Sequence, residues 1–297
     1  MVGIVAATGA LVIAGGVAAW LLSRPASASE VADQYLRALA DGDATKIDGL
    51  LAGEGLSEQT EATFAGASAY ITDYSVDLAA ESDAVRTARA DVELGGAPAV
   101  VVFSLTQQDG RWTIGEDSLA SLRVETSIGD SVHVGGVLVP ASTELPVLPA
   151  VYPVTAAPVE FLTGEESAAV TNEAPVTVTI DAAISPDAAD VAQEQLDAYA
   201  DTCARPATAV PDSCGVRVPW AADLATLSSI AFRIDTYPTL VLAPDGRSFA
   251  AAGGDIVATA TGTTRAGQED SFTYRADDWA LRGSVSFEGD EMVLEVR

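Results

Sequence analysis

The chain has 297 residues, 48% of them apolar, and a formal charge of −28 from 15 Lys and Arg against 43 Asp and Glu. At roughly 150 residues per domain this length makes about two domains, and the apolar share supplies cores, which excludes global disorder. The charge excludes nucleic acid as a partner because phosphates are repelled. A single Lys (Lys46) and a single His (His133) leave little material for His-based catalysis or multi-His metal sites.

Residues Met1 to Leu22 carry no charged side chain. The run from Val2 to Leu22, at 1.5 Å per residue, spans about 31 Å, the hydrocarbon thickness of a bilayer. Trp20 stands where an indole rests among headgroups, and Arg24 and Pro25 close the segment. Two readings stay open: a single-pass anchor over residues 1–24, and a signal peptide cleaved at the small-x-small site Ala26-Ser27-Ala28. The run exceeds the about 7–15 apolar residues of a signal peptide, which favours the anchor, with residues 2–22 in the lipid bilayer and the bulk of the chain extracytoplasmic.

Residues 30–41 place Val31, Tyr35, Leu36 and Leu39 on one helical face, with Ser29 as the expected cap and Asp41-Gly42-Asp43 as the stop. A second short helix carries Ile47, Leu50 and Leu51 and is expected to end at Gly53 and Gly55. A third is capped by Ser57 and expected to run to Ala67. The pattern then turns to strands: Ser75–Leu78, Val85–Leu94, Ala97–Leu105 and Arg111–Ile114, with Gln108-Asp109-Gly110 as a hairpin signal. Helices followed by antiparallel strands define α+β.

The stretch Tyr35-Leu-Arg-Ala-Leu-Ala-Asp-Gly-Asp43 with Leu50-Leu51 resembles the opening of nuclear transport factor 2-like domains. Asp109-Gly-Arg-Trp-Thr-Ile114 resembles the last strand of that superfamily. The resemblance covers residues 30–118 and implies a sheet curled around helices into a cone with an open pocket. Extracytoplasmic versions follow a membrane anchor in many bacterial envelope proteins. Relatives that are enzymes place an Asp–His pair or an acid–tyrosine set in the cone. This stretch has no His, and Asp73, Tyr74, Tyr70 and Asp91 are its candidates for an acid–phenol site. The expectation is that the tyrosines pack in the core and the Asps are solvated.

Residues 121–172 read as a small β-rich module: Leu122–Thr126, an alternating run Ser131–Val139 broken at Gly135-Gly136, and a Pro-bearing stretch Leu145–Val154. The prolines confine that stretch to edge strands or turns. Phe161-Leu162 and Ala168–Thr171 supply more strand. The module resembles the short all-β modules that follow such cones in actinobacterial surface proteins. His133, alone on a strand, reads as a surface or hydrogen-bonded residue.

From about 173 onward Val176–Ile180 reads as a strand. A helix follows with Ser185 as N-cap, Pro186 at its first position, an end near Ala200, and Val191, Leu196 and Tyr199 buried. Strands are expected at Ile230–Ile234, Leu240–Leu242, Gly254–Thr261, Asp270–Arg275, Trp279–Glu288 and Glu291–Val296, the last two joined at Gly289-Asp290. One helix and a long antiparallel meander resemble a cystatin-like unit. Thr236–Gly246 resembles the segment around the cis-proline of thioredoxin-like folds, but no Cys-x-x-Cys lies upstream and strands follow where a closing helix is expected.

Cys203 and Cys214, the only cysteines, flank a Pro-rich loop. In an exported chain an isolated pair this close is a disulfide, worth about 3 kcal/mol on the chain-entropy model. The spacing is neither a redox Cys-x-x-Cys nor a four-ligand zinc site. Asp41-Gly-Asp43 and Asp187-Ala-Ala-Asp190 lack the order of a calcium loop, and Gly253-Gly254 has no following helix to cradle phosphate. No Ser-x-x-Lys, Gly-x-Ser-x-Gly, Walker or dinucleotide motif occurs.

The sequence thus predicts an α+β chain in four parts: an anchor (1–24), a nuclear transport factor 2-like domain (29–120), a β-rich module (121–172) and a C-terminal α+β domain with a disulfide loop (173–297). No catalytic, cofactor-binding or metal-binding residues are expected. The expected role is non-enzymatic binding or scaffolding at the cell envelope, with an unknown envelope protein or cell-wall component as partner. The alternatives are an accessory of cell-wall synthesis and a small-molecule enzyme with an Asp/Tyr pocket in the first domain.

Overall fold

The computed structural model describes residues 25–297, so the expected anchor over residues 1–24 lies outside the described residues. Among the described residues no helix is long and apolar enough to cross a membrane. The architecture is α+β with mostly antiparallel sheets. The described chain forms two compact units. The first comprises residues up to Leu122 with Leu145–Tyr152 and Ala168–Val176; the second comprises Arg123–Glu144, Pro153–Ser167 and Thr177–Arg297.

In the first unit, α1 (Ala28–Asp41) is capped two residues before the expected Ser29. Ser27, not Ser29, closes the N-terminus. Glu30 decides this: Ser27 Oγ accepts from the Glu30 amide at 3.3 Å while the Glu30 carboxylate accepts from the Ser27 amide at 2.7 Å, a reciprocal box that Ser29 has no acid to complete. Val31, Tyr35, Leu36 and Leu39 are buried as the periodicity predicts. Gly42 ends α1 with φ at 69°, where a Cβ would sit 2.6 Å from the Tyr70 ring.

The next helix, α2 (Ala44–Asp48), is capped at Gly49 and not at Gly53. Leu50 and Leu51 leave it because their backbone pairs with the last strand of the first sheet: the Ile114 amide donates to Leu50 O and the Ala52 amide to Ile114 O, each at 2.8 Å. Ser57 caps α3 (Glu58–Ala65), which stops at Gly66, short of Ala67. Four strands follow in the order β1-β2-β3-β4: β1 (Ile71–Ala80), β2 (Val85–Leu94), β3 (Ala97–Gln108) and β4 (Arg111–Ile114). The turn joining the last two has φ of 49° at Asp109 and 79° at Gly110, the left-handed pair a two-residue hairpin needs. Alternation along β2 and β3 turns Ala88, Ala90, Val92, Leu94, Val101, Phe103 and Leu105 inward.

The next strands are β5 (Ala120–Thr126), β6 (Ser131–Val134), β7 (Val137–Pro140), β8 (Glu144–Val147), β9 (Ala150–Ala156), β10 (Leu162–Thr163), β11 (Glu165–Val170), β12 (Val176–Ile180) and β13 (Ala183–Ile184). They form sheets ordered β12-β5-β8, β11-β9-β6-β7 and β10-β13. The alternating run Ser131–Val139 is a hairpin, turned at Gly135 and Gly136 with φ of 56° and 79°. Pro146 lies on an edge strand, as expected. Pro153 does not, since β9 runs between β11 and β6. The missing N–H is tolerated because β6–β9 pairing starts at Val134↔Val154 while Pro153 O accepts from the Gly135 amide at 2.9 Å.

The second unit carries α4 (Ala188–Cys203), which starts after Asp187 and runs past Ala200. Ser185 Oγ still accepts from the Ala188 amide at 3.2 Å, so it caps from one position further out. The buried stripe is Ala188, Ala192, Leu196, Ala200 and Cys203; Val191 and Tyr199 are only half-buried.

A meander completes the unit: β14 (Leu224–Thr236), β15 (Thr239–Leu242), β16 (Ser248–Thr264), β17 (Glu269–Glu288) and β18 (Glu291–Val296). The stretches expected as two strands, Asp270–Arg275 and Trp279–Glu288, are the single strand β17. Asp277 and Asp278 form a bulge where the register to β16 steps from Ile256↔Ala276 to Gly254↔Trp279. β14 and β15 follow one another along the same edge of β16, at Thr236↔Asp255 and Thr239↔Ala252. Tyr237-Pro238 therefore interrupts one long strand. The likeness to the thioredoxin cis-proline segment does not extend to the backbone: among the described residues the cis bond is Ala157–Pro158, and β16 follows as a strand. Gln193 of α4 covers the β15 edge, donating to Pro238 O at 3.1 Å and accepting from the Leu240 amide at 2.8 Å.

Candidate functional site

In the first unit aromatic rings pack in the interior that the helices and the β1–β4 sheet bury. Tyr35 and Phe103 meet edge to face with centroids 4.7 Å apart, and Phe64 and Tyr70 do so at 5.0 Å. The Tyr35 hydroxyl donates to Ser118 O at 3.3 Å, and burial raises its phenol above the ordinary range. The Tyr70 hydroxyl donates to Phe64 O at 3.1 Å. Asp73 and Asp91 are exposed, and Tyr74 is half-buried beside Arg37, whose charged form its hydroxyl favours. The four acid–phenol candidates therefore do not meet in one buried site. A cavity of about 350 Å³ opens elsewhere in this unit, beside Leu51, Glu54, Glu116 and Leu119, and brings carboxylates without a phenol, thiol or imidazole.

In the second unit His133 stands on β6 opposite Thr155 and Leu138. Its Nε2 lies 3.8 Å from Asp290 Oδ1, and its Nδ1 is buried without a hydrogen-bond partner. Among the described residues no group of three or more His, Cys, Asp or Glu could hold a metal ion.

The most built feature is the strap of residues 204–223, between α4 and β14. Cys203 and Cys214 are joined in a disulfide with Cα atoms 5.7 Å apart. The Trp279 indole N–H donates to Cys214 O at 2.8 Å, and the Tyr199 hydroxyl donates to Ser213 O at 2.9 Å. Gly215 has φ of 63°, and a Cβ there would lie 2.6 Å from Ala280 O, so the strap backbone rests on β17 where only glycine fits. Ala207 bridges Ile230 by two backbone bonds. Further along, the Arg265 guanidinium donates to Ala221 and Ala222 carbonyls at 2.8 and 2.7 Å, and the Tyr274 hydroxyl donates to Asp223 at 2.8 Å. Desolvation, together with the carboxylate acceptor, raises the Tyr274 phenol.

Where the strap leaves Cys214, it and β17 enclose a cavity of about 410 Å³. Its wall carries Asp212 and Arg217 from the strap, Ala280–Arg282 from β17, and Arg297 following β18. Arg297 Nη2 donates to Ser284 Oγ at 3.0 Å and to Glu295 at 3.1 Å, which holds the Glu295 carboxyl below its usual range.

Cys203 and Cys214 were legible from sequence, but the three arginines were not. Arg217, Arg282 and Arg297 share no motif and come from separate elements; their one sequence signal is that cations are scarce, 15 in the whole chain. The chain matches no protein-family model, no curated protein and no solved structure.

Proposed function

We propose that this chain is an envelope protein, held at the membrane by residues 2–22, whose extracytoplasmic modules bind or scaffold and do not catalyse. The observation that carries the reading is the Cys203–Cys214 disulfide, which involves every cysteine of the chain and belongs to an oxidising compartment. The order of α1, α2 and α3 followed by the β1–β4 meander supports a nuclear transport factor 2-like domain. The aromatic filling of its interior supports a non-catalytic role, since the buried Tyr35 hydroxyl is bonded to Ser118 O and the Asp that acts on it, Asp117, is exposed and held by Ser104.

The test is fractionation of the full-length product with maleimide labelling before and after reduction. The expected result is a membrane-bound species that labels only once reduced. A cytosolic species labelled at both thiols without reduction overturns the proposal, and a soluble exported species beginning at Ser29 overturns the anchor.

A further inference from the structure

We infer that the cavity between the strap and β17 is a binding site for a compact, multiply charged oxyanion, of phosphate or carboxylate type. The inference concerns the second unit alone and holds wherever the chain resides.

Among the described residues, Lys46, Arg111, Arg205 and Arg247 are unpaired but do not line this cavity. Arg37, Arg89, Arg233 and Arg275 pair with carboxylates, and Arg123 and Arg265 donate to backbone carbonyls. Arg217 and Arg282 have neither an ion pair nor a side-chain hydrogen bond, and both line the same cavity. Arg297 joins them with only Nη2 engaged. In a chain with 43 Asp and Glu, three arginines line one cavity whose wall has Asp212 as its one acidic side chain.

The chemistry of the ligand follows from these groups. A guanidinium presents a planar fork that binds carboxylate or phosphate oxygens two at a time. Arg217 and Arg282 stand on different elements, so a ligand that satisfies both must offer at least two pairs of acceptor oxygens, as one phosphate or two carboxylates do. A volume of about 410 Å³ suits a small molecule. The net charge of −28 repels an extended polyanion. Over a Debye length of about 8 Å that repulsion is screened, so a compact anion responds to the local arginines.

Calorimetric titration of the full chain in detergent, at fixed ionic strength, tests the site with two probes, inorganic pyrophosphate and citrate. The wild type is expected to bind at least one, and the tighter of the two identifies the anion class. The double variant Arg217→Gln/Arg282→Gln should bind at least about tenfold more weakly, since charge-assisted hydrogen bonds at both forks are lost. Arg111→Gln, an exposed cation in the first unit, should stay within about twofold of wild type. Both arginines of the double variant are exposed, so its circular dichroism spectrum and Tm should match wild type. Absence of binding by either probe, or binding undiminished in the double variant, overturns the inference.

Discussion

The interior of the first unit is built from large side chains: Tyr35, Leu36, Phe64, Phe103 and Tyr152 are all fully buried. The meander of the second unit mixes sizes, turning Ala251, Ala258 and Ala260 inward beside Phe249, Ile256, Trp279, Leu281 and Phe287, while the α4 stripe is mostly alanine. Small side chains bury less apolar area, at about 25 cal/mol per Å², so the alanine positions of α4 and β16 gain less from the hydrophobic effect. What it has in addition is connectivity: the disulfide, the indole bond to Cys214 O and the ties at Ala221, Ala222 and Asp223 hold the strap. The first region is stabilised by packing and the second by packing with added tethering, and the two respond to different perturbations.

The largest effect is expected from Phe103→Ala. The side chain is fully buried and meets Tyr35 edge to face, and its removal leaves a cavity costing about 3–5 kcal/mol. Urea unfolding followed by hydrogen exchange should show the loss in the first unit. A loss below about 1 kcal/mol would mean that the aromatic cluster is not what holds that unit together.

Reduction of Cys203–Cys214, or replacement of both by Ser, should act on the second unit by about 3 kcal/mol, because the open loop regains chain entropy in the unfolded state. Exchange should rise first along the strap and along β17 near Trp279. Equal loss of protection in both units would break the distinction between packing and tethering.

Local pattern was the most legible part of the sequence. The apolar face of α1, the limits of β2, β4, β12 and β18, and the hairpin at Asp109-Gly110 follow from side-chain periodicity and turn chemistry, which act within a few residues. Leu50 and Leu51 were misread as helical because their backbone partner, Ile114, is far along the chain. The gap expected between strands at residues 276–278 is a bulge at Asp277-Asp278, which only the register with β16 shows. Pro153 in an interior strand depends likewise on where pairing with β6 begins. The arginine cavity was invisible for the same reason: β17, the strap and the residue after β18 meet through topology, and no spacing rule encodes that meeting.

Alkaline pH sharpens the comparison with the smallest effect. Burial raises the phenols of Tyr35 and Tyr152 above the ordinary value, and both belong to the first unit, where their hydroxyls donate to Ser118 O and Leu148 O. Below about pH 10 both states keep these protons and stability is unaffected. Above it the unfolded chain releases them while the folded core retains them. The unfolded state then binds fewer protons, and stability falls as pH rises, by about 1.4 kcal/mol per pH unit for each phenol. Tyr237 and Tyr274 of the second unit are also raised but sit near solvent, so their contribution is screened. Urea midpoints of the first unit, read by hydrogen exchange after equilibration between pH 8 and 11, should therefore decline above pH 10. Tyr35→Phe should flatten that decline while lowering stability at pH 8 by about 1 kcal/mol through the lost bond to Ser118 O. A decline of unchanged slope in Tyr35→Phe would remove the Tyr35 phenol as its source and shift the alkaline weakness to Tyr152.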